Sequence, residues 1–281
     1  MSGKIIDGKA VAAEIKKKLK EKIGNLKAKP KLAIVLVGHN EASEIYVKNK
    51  QKAALEVGIE SVLYAFDEKA TQQELEDLIE KLNKDCSVNG ILIQLPLPKS
   101  FDVRTLLEKI DVQKDVDGFC PLNIGRFECG CRNTLVAATP KGVLRLLESA
   151  GVKLEGKNAL VIGRSNIVGK PMAMLLLEKN CTVTIAHSAT QNLPKLVRQA
   201  DIVVSATGRA KMIKGAWLKK GAVVVDVGIS RDETGKICGD VDFESALEVA
   251  SYITPVPGGV GPMTIAMLLE NVLEAYLKQN A

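Results

Sequence analysis

Residues 158 to 179 constrain this chain most. A short apolar run, Ala159 to Ile162, stops at Gly163, and a polar loop then leads to Gly169. An apolar-rich segment follows, with Pro171 in its opening turn, where a missing N–H has no intrahelical partner to lose. The order strand, glycine-bounded turn, helix start places backbone amides and the positive end of a helix where a phosphate can meet them. The loop departs from G-x-G-x-x-G, with Ser165 at the second glycine position and Val168 at the third. Alone, it reads equally well as an ordinary connection between strand and helix.

The next apolar run, Thr182 to Ala186, ends at His187 and Ser188. About 20 residues beyond such a loop, an NAD-binding unit carries an Asp or Glu for the ribose hydroxyls. Here there is no acid. Ser188 offers a hydrogen bond and Arg164 a positive charge, a pairing that favours a 2′-phosphate and hence NADP over NAD. The competing reading makes Arg164 a solvated loop charge.

Around this unit, strands and helices alternate. Residues 8 to 25 read as an amphipathic helix and Lys31 to Val37 as a buried strand. Glu41 to Val57 reads as a helix stopped by Gly58, and Val62 to Phe66 as a strand. Thr71-Gln72-Gln73-Glu74 is a capping box opening a helix to about Lys84, and Gly90 to Leu95 is an apolar strand ended by Pro96-Leu97-Pro98. Residues 111 to 138 look loop-rich. Thr139-Pro140 opens a helix to Ala150, and a domain boundary is placed there. Four strands follow, at 159–162, 182–186, 201–205 and 222–227. The fold class is α/β, with parallel sheet and helical crossovers. Thr207-Gly208 and Gly228 lie at the carboxyl ends of two of these strands, the edge where open α/β sheets bind ligands. Residues 255 to 262 are too rich in glycine and proline for helix or sheet, and a helix from Met263 to Leu277 follows.

A length of 281 residues allows one large or two medium domains. Thirty-nine basic against 33 acidic residues give a net charge of +6, enough to attract a small anion and too little for a nucleic-acid binder. The lysine cluster at 16–22 reads as the solvated face of a helix whose apolar stripe is Ile15, Leu19 and Ile23. No apolar run of membrane-spanning length and no signal-peptide core is present, so a cytoplasmic protein is expected. The six cysteines have neither zinc-site spacing nor the density of a disulfide scaffold, which points to reduced thiols and no metal. His39 and His187 are not assigned to catalysis.

Candidate chemistry lies in three places. Tyr46 and Lys50, four apart on one helix, share a face, although such pairs are commonly surface pairs. Gln94 puts a polar amide at the end of a buried strand, where it needs a partner. Asp115 and Asp117 are either turn formers or acceptors for ligand N–H groups.

Taken together, Tyr46-x-x-x-Lys50, Gln94-Leu95-Pro96-Leu97-Pro98, Lys114-Asp115-Val116-Asp117-Gly118, the 163–171 loop and Pro257-Gly258-Gly259-Val260-Gly261-Pro262-Met263-Thr264 resemble the bifunctional methylenetetrahydrofolate dehydrogenase/cyclohydrolase family. The resemblance begins at Ile6-Asp7-Gly8-Lys9 and runs to the last helix. It implies two α/β lobes: a folate-binding catalytic domain, residues 1–138 with 259–281 returning to it, and a Rossmann-like NADP-binding domain, residues 139–258. The folate would lie between the lobes, and the subunits would form homodimers. The implied chemistry oxidises 5,10-methylenetetrahydrofolate with NADP and hydrolyses the methenyl product to 10-formyltetrahydrofolate, a one-carbon carrier for purine biosynthesis. By this resemblance Lys50 is the general acid/base, Gln94 holds it, Tyr46 stacks on the folate, and Asp117 accepts from the pterin N–H groups. Leu95, Pro96, Gly258, Gly259 and Pro262 would also contact the substrate. Gly163, Arg164, Ser165, Ser188, Thr207, Gly208, Gly228 and Ile229 would line the cofactor site. Two positions depart from many relatives: Ala189 stands where a basic residue is common, leaving the phosphate to Arg164 and Ser188, and Ala138 stands where cysteine is common. A dehydrogenase without hydrolase activity, and a non-catalytic dinucleotide-binding regulator, are the alternatives. Neither explains Lys50, Gln94 and Asp117 together.

Overall fold

The computed structural model describes residues 3–131 and 133–280. In chain order the elements are β1 (Lys4–Ile5), α1 (Gly8–Gly24), β2 (Lys31–Val37), α2 (Glu41–Val57), β3 (Glu60–Phe66), α3 (Gln72–Lys84), β4 (Gly90–Ile93), α4 (Val103–Lys109), α5 (Pro121–Glu128) and α6 (Ala138–Ser149). Then come β5 (Asn158–Ile162), α7 (Gly169–Glu178), β6 (Thr182–Ala186), α8 (Leu193–Gln199), β7 (Ile202–Ser205), β8 (Val223–Asp226), the short strands β9 (Ser230–Arg231) and β10 (Ile237–Cys238), α9 (Phe243–Leu247), β11 (Tyr252–Ile253) and α10 (Val260–Gln279). These form two compact units. One comprises Glu14–Ala138 with Ile265–Ala281, the other Met1–Ala13 with Thr139–Thr264. Among the described residues no helix is long and apolar enough to cross a membrane.

The first unit is built on a parallel sheet of order β3-β2-β4. β2 is central and buried along nearly its whole length, as the continuous apolar run Leu32 to Val37 requires of a strand covered on both faces. Local chemistry fixes the flanking helices. Asn40 caps α2 by accepting from the Ser43 amide, and Gly58 ends it in the left-handed conformation (φ 91°) that glycine adopts without strain. Thr71 and Glu74 form the capping box of α3. Leu75, Ile79 and Leu82 of α3, with Leu106 of α4, pack on Val35, Ile91 and Ile93. Lys114 donates to the carbonyls of Leu82, Asn83 and Asp85, neutralising the negative end of α3. From α10, Asn271 donates to the carbonyls of Val116 and Val136, so the C-terminal helix belongs to this unit.

In the second unit one parallel sheet has the order β1-β11-β8-β7-β5-β6. β5 has β6 on one side and β7 on the other. Successive connections therefore leave in opposite directions there, making a switch point whose crevice opens at the carboxyl end of β5. Leu160, Ile162, Val203, Val224 and Ile253 form the centre of its core.

Four local expectations need correction. The N-terminal residues group with the second unit, because β1 pairs with β11 and Lys9 donates its amide to the Gly258 carbonyl. The sheet there has six strands instead of four for the same reason. The loop-rich region at 111–138 contains α5, started by Pro121 in its first turn. α10 begins at Val260, earlier than Met263, because Pro262 falls where a helix needs no N–H from it.

Candidate active site

The buried face of α2 is formed by Ser43, Val47, Lys50, Ala54 and Val57, a helical spacing with a lysine at a position suited to an apolar side chain. Lys50 is 5% exposed, which rules out the surface-pair reading. Its Nζ donates to Gln94 Oε1 at 3.1 Å and lies 5.0 Å from the centre of the Tyr46 ring. Gln94 sits just past β4, its amide still donating to the Val35 carbonyl, and its Nε2 donates to the Leu95 carbonyl at 2.7 Å. Both ends of the buried amide are thus used, and its oxygen is aimed at the lysine. The Leu95–Pro96 peptide is cis.

Burial disfavours the ammonium form and lowers the Lys50 pKa, while the negative charge of Asp117 opposes the shift. Burial likewise raises Asp117 to about 6, with Lys50 pulling it down and Asp115 pushing it up. At neutral pH the carboxylate, with its pKa at about 6, is mostly ionised, and its charge favours the protonated lysine against the effect of burial. The structure separates the two aspartates that the sequence left equivalent. Asp115 is fully buried and accepts from the amides of Phe119 and Cys120 and from Asn123 Nδ2, which makes it the organiser of the turn. Asp117 is the one coupled to Lys50.

In the second unit, the turn after β5 is built for close approach of backbone. Gly163 has φ 126°, and a Cβ there would overlap the Ala206 carbonyl oxygen. A Cβ at Gly169 would overlap the Gly163 carbonyl oxygen. The expectation of free amides at the start of α7 is only partly met, because Ser165 Oγ accepts from the amides of Val168 and Gly169 at 3.2 and 3.3 Å. Positive charge for an anion comes instead from Arg164, which is exposed, and Ser188 is exposed at the end of β6. A turn bounded by two glycines that leave no room for a Cβ, an exposed arginine within it and no acid after β6 suit a phosphorylated dinucleotide.

Further along the same edge, Thr207 N donates to Asp240 Oδ2 and Gly228 N to Asp226 Oδ1. Gly208 and Ile229 are exposed beside them. A cavity of about 220 Å³ is lined by Gly228, Ile229, Gly258, Gly259 and Pro262, together with Lys9. Residues assigned separately to cofactor and substrate therefore share one wall within this unit. His187 accepts from the Ala189 amide through Nδ1, and His39 is exposed with Glu44 Oε1 3.4 Å away. All six cysteines are free thiols. Sequence reading missed Lys9 and the buried pair Asp226 and Asp240. The signal for Asp226 was present, since it closes the apolar run Val223–Val225 with a charge.

With this geometry in place, two family profiles match the chain: the catalytic domain of tetrahydrofolate dehydrogenase/cyclohydrolase over residues 6–117, and its NAD(P)-binding domain over residues 137–280. The bifunctional protein FolD of Streptococcus pneumoniae is 54% identical over 278 residues, covering 98% of this chain and 97% of that protein. The crystal structure of the bifunctional methylenetetrahydrofolate dehydrogenase/cyclohydrolase FolD from Campylobacter jejuni superposes with a TM-score of 0.97 at 50% identity, covering 99% of each chain. The enzyme from Trypanosoma brucei, crystallised with NADP and an inhibitor, superposes with a TM-score of 0.95 at 39% identity, covering 99% of this chain and 98% of that one. From both profiles and from full-length relatives at this identity, the chain belongs to the tetrahydrofolate dehydrogenase/cyclohydrolase family.

Proposed function

We infer that this chain is a bifunctional enzyme of folate one-carbon metabolism. It oxidises 5,10-methylenetetrahydrofolate to 5,10-methenyltetrahydrofolate with NADP, and hydrolyses that cation to 10-formyltetrahydrofolate. The observation that carries the hydrolytic half is the buried Lys50 amine, held by Gln94 beside Asp117. An ordinary lysine is protonated at neutral pH and cannot take a proton from water, whereas a lysine with a lowered pKa can. Lys50 removes the proton from the water that attacks the methenyl carbon, and the approaching substrate cation lowers its pKa further. Gln94 keeps the amine aimed, Tyr46 stacks on the folate, and Asp117 accepts from the pterin N–H groups. Leu95, Pro96, Gly258, Gly259 and Pro262 complete the substrate contacts in this reading.

When bound, the dinucleotide supplies the hydride acceptor, so the chain's task in oxidation is positioning. Gly163 and Ser165 set the turn, Arg164 and Ser188 take the 2′-phosphate, and Thr207, Gly208, Gly228 and Ile229 line the remainder. Residues 14–138 with 265–281 serve as the folate-binding domain, and 139–264, joined by residues 1–13, as the NADP-binding domain. The working form is a homodimer: β3 is a sheet edge with Val62 and Leu63 37% and 38% exposed, and Leu55 on α2 is 80% exposed, a surface suited to a second copy. Six free thiols fit a reducing compartment, and the cytoplasm is the proposed location. The product's use as a formyl donor for purine biosynthesis belongs to this reading.

One assay tests it. Methylenetetrahydrofolate is supplied with NADP or NAD, and reduced nucleotide and methenyl product are followed together. Nucleotide reduction preferring NADP, with the methenyl intermediate consumed as it forms, is the expected result. Accumulation of the methenyl product without hydrolysis would make the enzyme a dehydrogenase only.

A further inference from the structure

We propose that Asp240 is a positioning residue of the dehydrogenase reaction: with Asp226 behind it, it holds the ends of β7 and β8 in the shape that receives the nicotinamide-bearing half of the dinucleotide. This rests on the reading that the cofactor lies along the carboxyl edge of the second unit's sheet. Arg164 and Ser188 follow β5 and β6, and the sheet runs on through β7 to β8. A dinucleotide with its 2′-phosphate at Arg164 and Ser188 therefore places its other end over the loops at 205–209 and 226–229.

Asp240 is fully buried, and three donors from the first of these loops converge on its carboxylate. The Ser205 hydroxyl and the Thr207 amide donate to Oδ2 at 2.9 and 2.6 Å, and the Arg209 amide donates to Oδ1 at 3.0 Å. The backbone carrying Asp240 is fixed to the second loop in turn. The amides of Asp240 and Val241 donate to the two oxygens of Asp226, whose Oδ1 also accepts from the Gly228 amide. The Asp226 amide donates to Thr254 Oγ1, which extends the chain of bonds to the segment entering the 255–259 loop. There is no slack. A Cβ at Gly228 would overlap the Asp240 carboxylate, and a Cβ at Gly239 would overlap the Asp226 carboxylate. Asparagine at 240 replaces one acceptor oxygen with an NH2 group facing protein N–H or O–H donors, so the loop must move. A carboxylate on which three donors of one cofactor loop converge is placed to shape that loop.

The test uses the full-length protein and reads NADP affinity, dehydrogenase kinetics and, separately, hydrolysis of supplied methenyltetrahydrofolate without nucleotide. Asp240→Asn is expected to raise the KM and Kd for NADP at least about tenfold, the cost of losing a hydrogen bond to a charged group, while hydrolysis stays within about twofold. Ser205→Ala, which removes only the hydroxyl donor, shifts NADP affinity the same way by a smaller factor, and it decides the matter if Asp240→Asn does not fold. Unchanged NADP affinity in the folded variants, or equal loss of both activities, overturns the proposal. Arg164→Ala separates the two levels. If it weakens NADP while Asp240→Asn does not, the positioning role is wrong and the cofactor site stands. If neither affects NADP, the cofactor site itself is misplaced and the proposal falls with it.

Discussion

The two candidate sites are built from opposite materials. Around Lys50 the chemistry sits in side chains, a buried amine held by a buried amide and a half-buried carboxylate, with the proton affinities of the amine and the carboxylate shifted by desolvation. At the carboxyl edge of the second sheet the ligand-facing parts are backbone, glycines and exposed polar groups, and the buried acids stand one layer behind them. The difference follows from the two tasks. Hydrolysis needs a group that exchanges protons near neutrality, and a solvated lysine does not. Binding a dinucleotide needs close approach and fixed shape, which small residues and a rigid scaffold supply.

That contrast is most exposed to a substitution affecting one half only. Lys50→Met is expected to lower hydrolysis by about 10²- to 10⁴-fold, the usual worth of a general acid or base, while hydride transfer stays within about tenfold of the parent. Measuring both rates on one preparation checks this, and equal losses would reduce Lys50 to a binding or folding role. Asp117→Asn tests the electrostatics. Removing the charge that holds the Lys50 proton in place lowers the lysine pKa further, so the rising limb of hydrolysis against pH shifts to lower pH by about one unit, with weaker folate binding. A limb that stays put would break the coupling between the two residues. The smallest effect is expected at the exposed edge. Arg164→Ala should reduce the preference for NADP over NAD by about three- to tenfold, as befits a solvent-screened charge contact. An unchanged preference would move the phosphate contact elsewhere.

Legibility in the sequence followed the range of the interactions. The ends of α2 and the capping box of α3 were readable because a glycine or a threonine–glutamate pair fixes them within a few residues. The ligand-binding edge of the second unit's sheet was readable from the alternation of strands and helices, whereas the switch point at β5 needed the strand order that pairs β5 with both β6 and β7. Whether Lys50 is buried was not, since a tyrosine and lysine four apart look the same on either face of a helix. The motif made these residues candidates, and tertiary packing put the amine on Gln94. Asp115 and Asp117 differ through partners that arrive from α5, a helix sequence reading missed because its start at Pro121 lies in a stretch rich in turn formers. Asp240 stayed invisible for a similar reason. Its donors lie 31 to 35 residues away and nothing local marks them.

The protonation state of one amine decides the most. The ε-CH2 resonance of Lys50, assigned by its loss in Lys50→Met, is to be followed against pH by heteronuclear NMR in the parent and in Asp117→Asn. A midpoint clearly below the ordinary lysine range in the parent, and lower again in Asp117→Asn, is the expected result. A midpoint at the ordinary lysine value in both proteins would mean that the amine stays charged at neutral pH and is not the base that activates water.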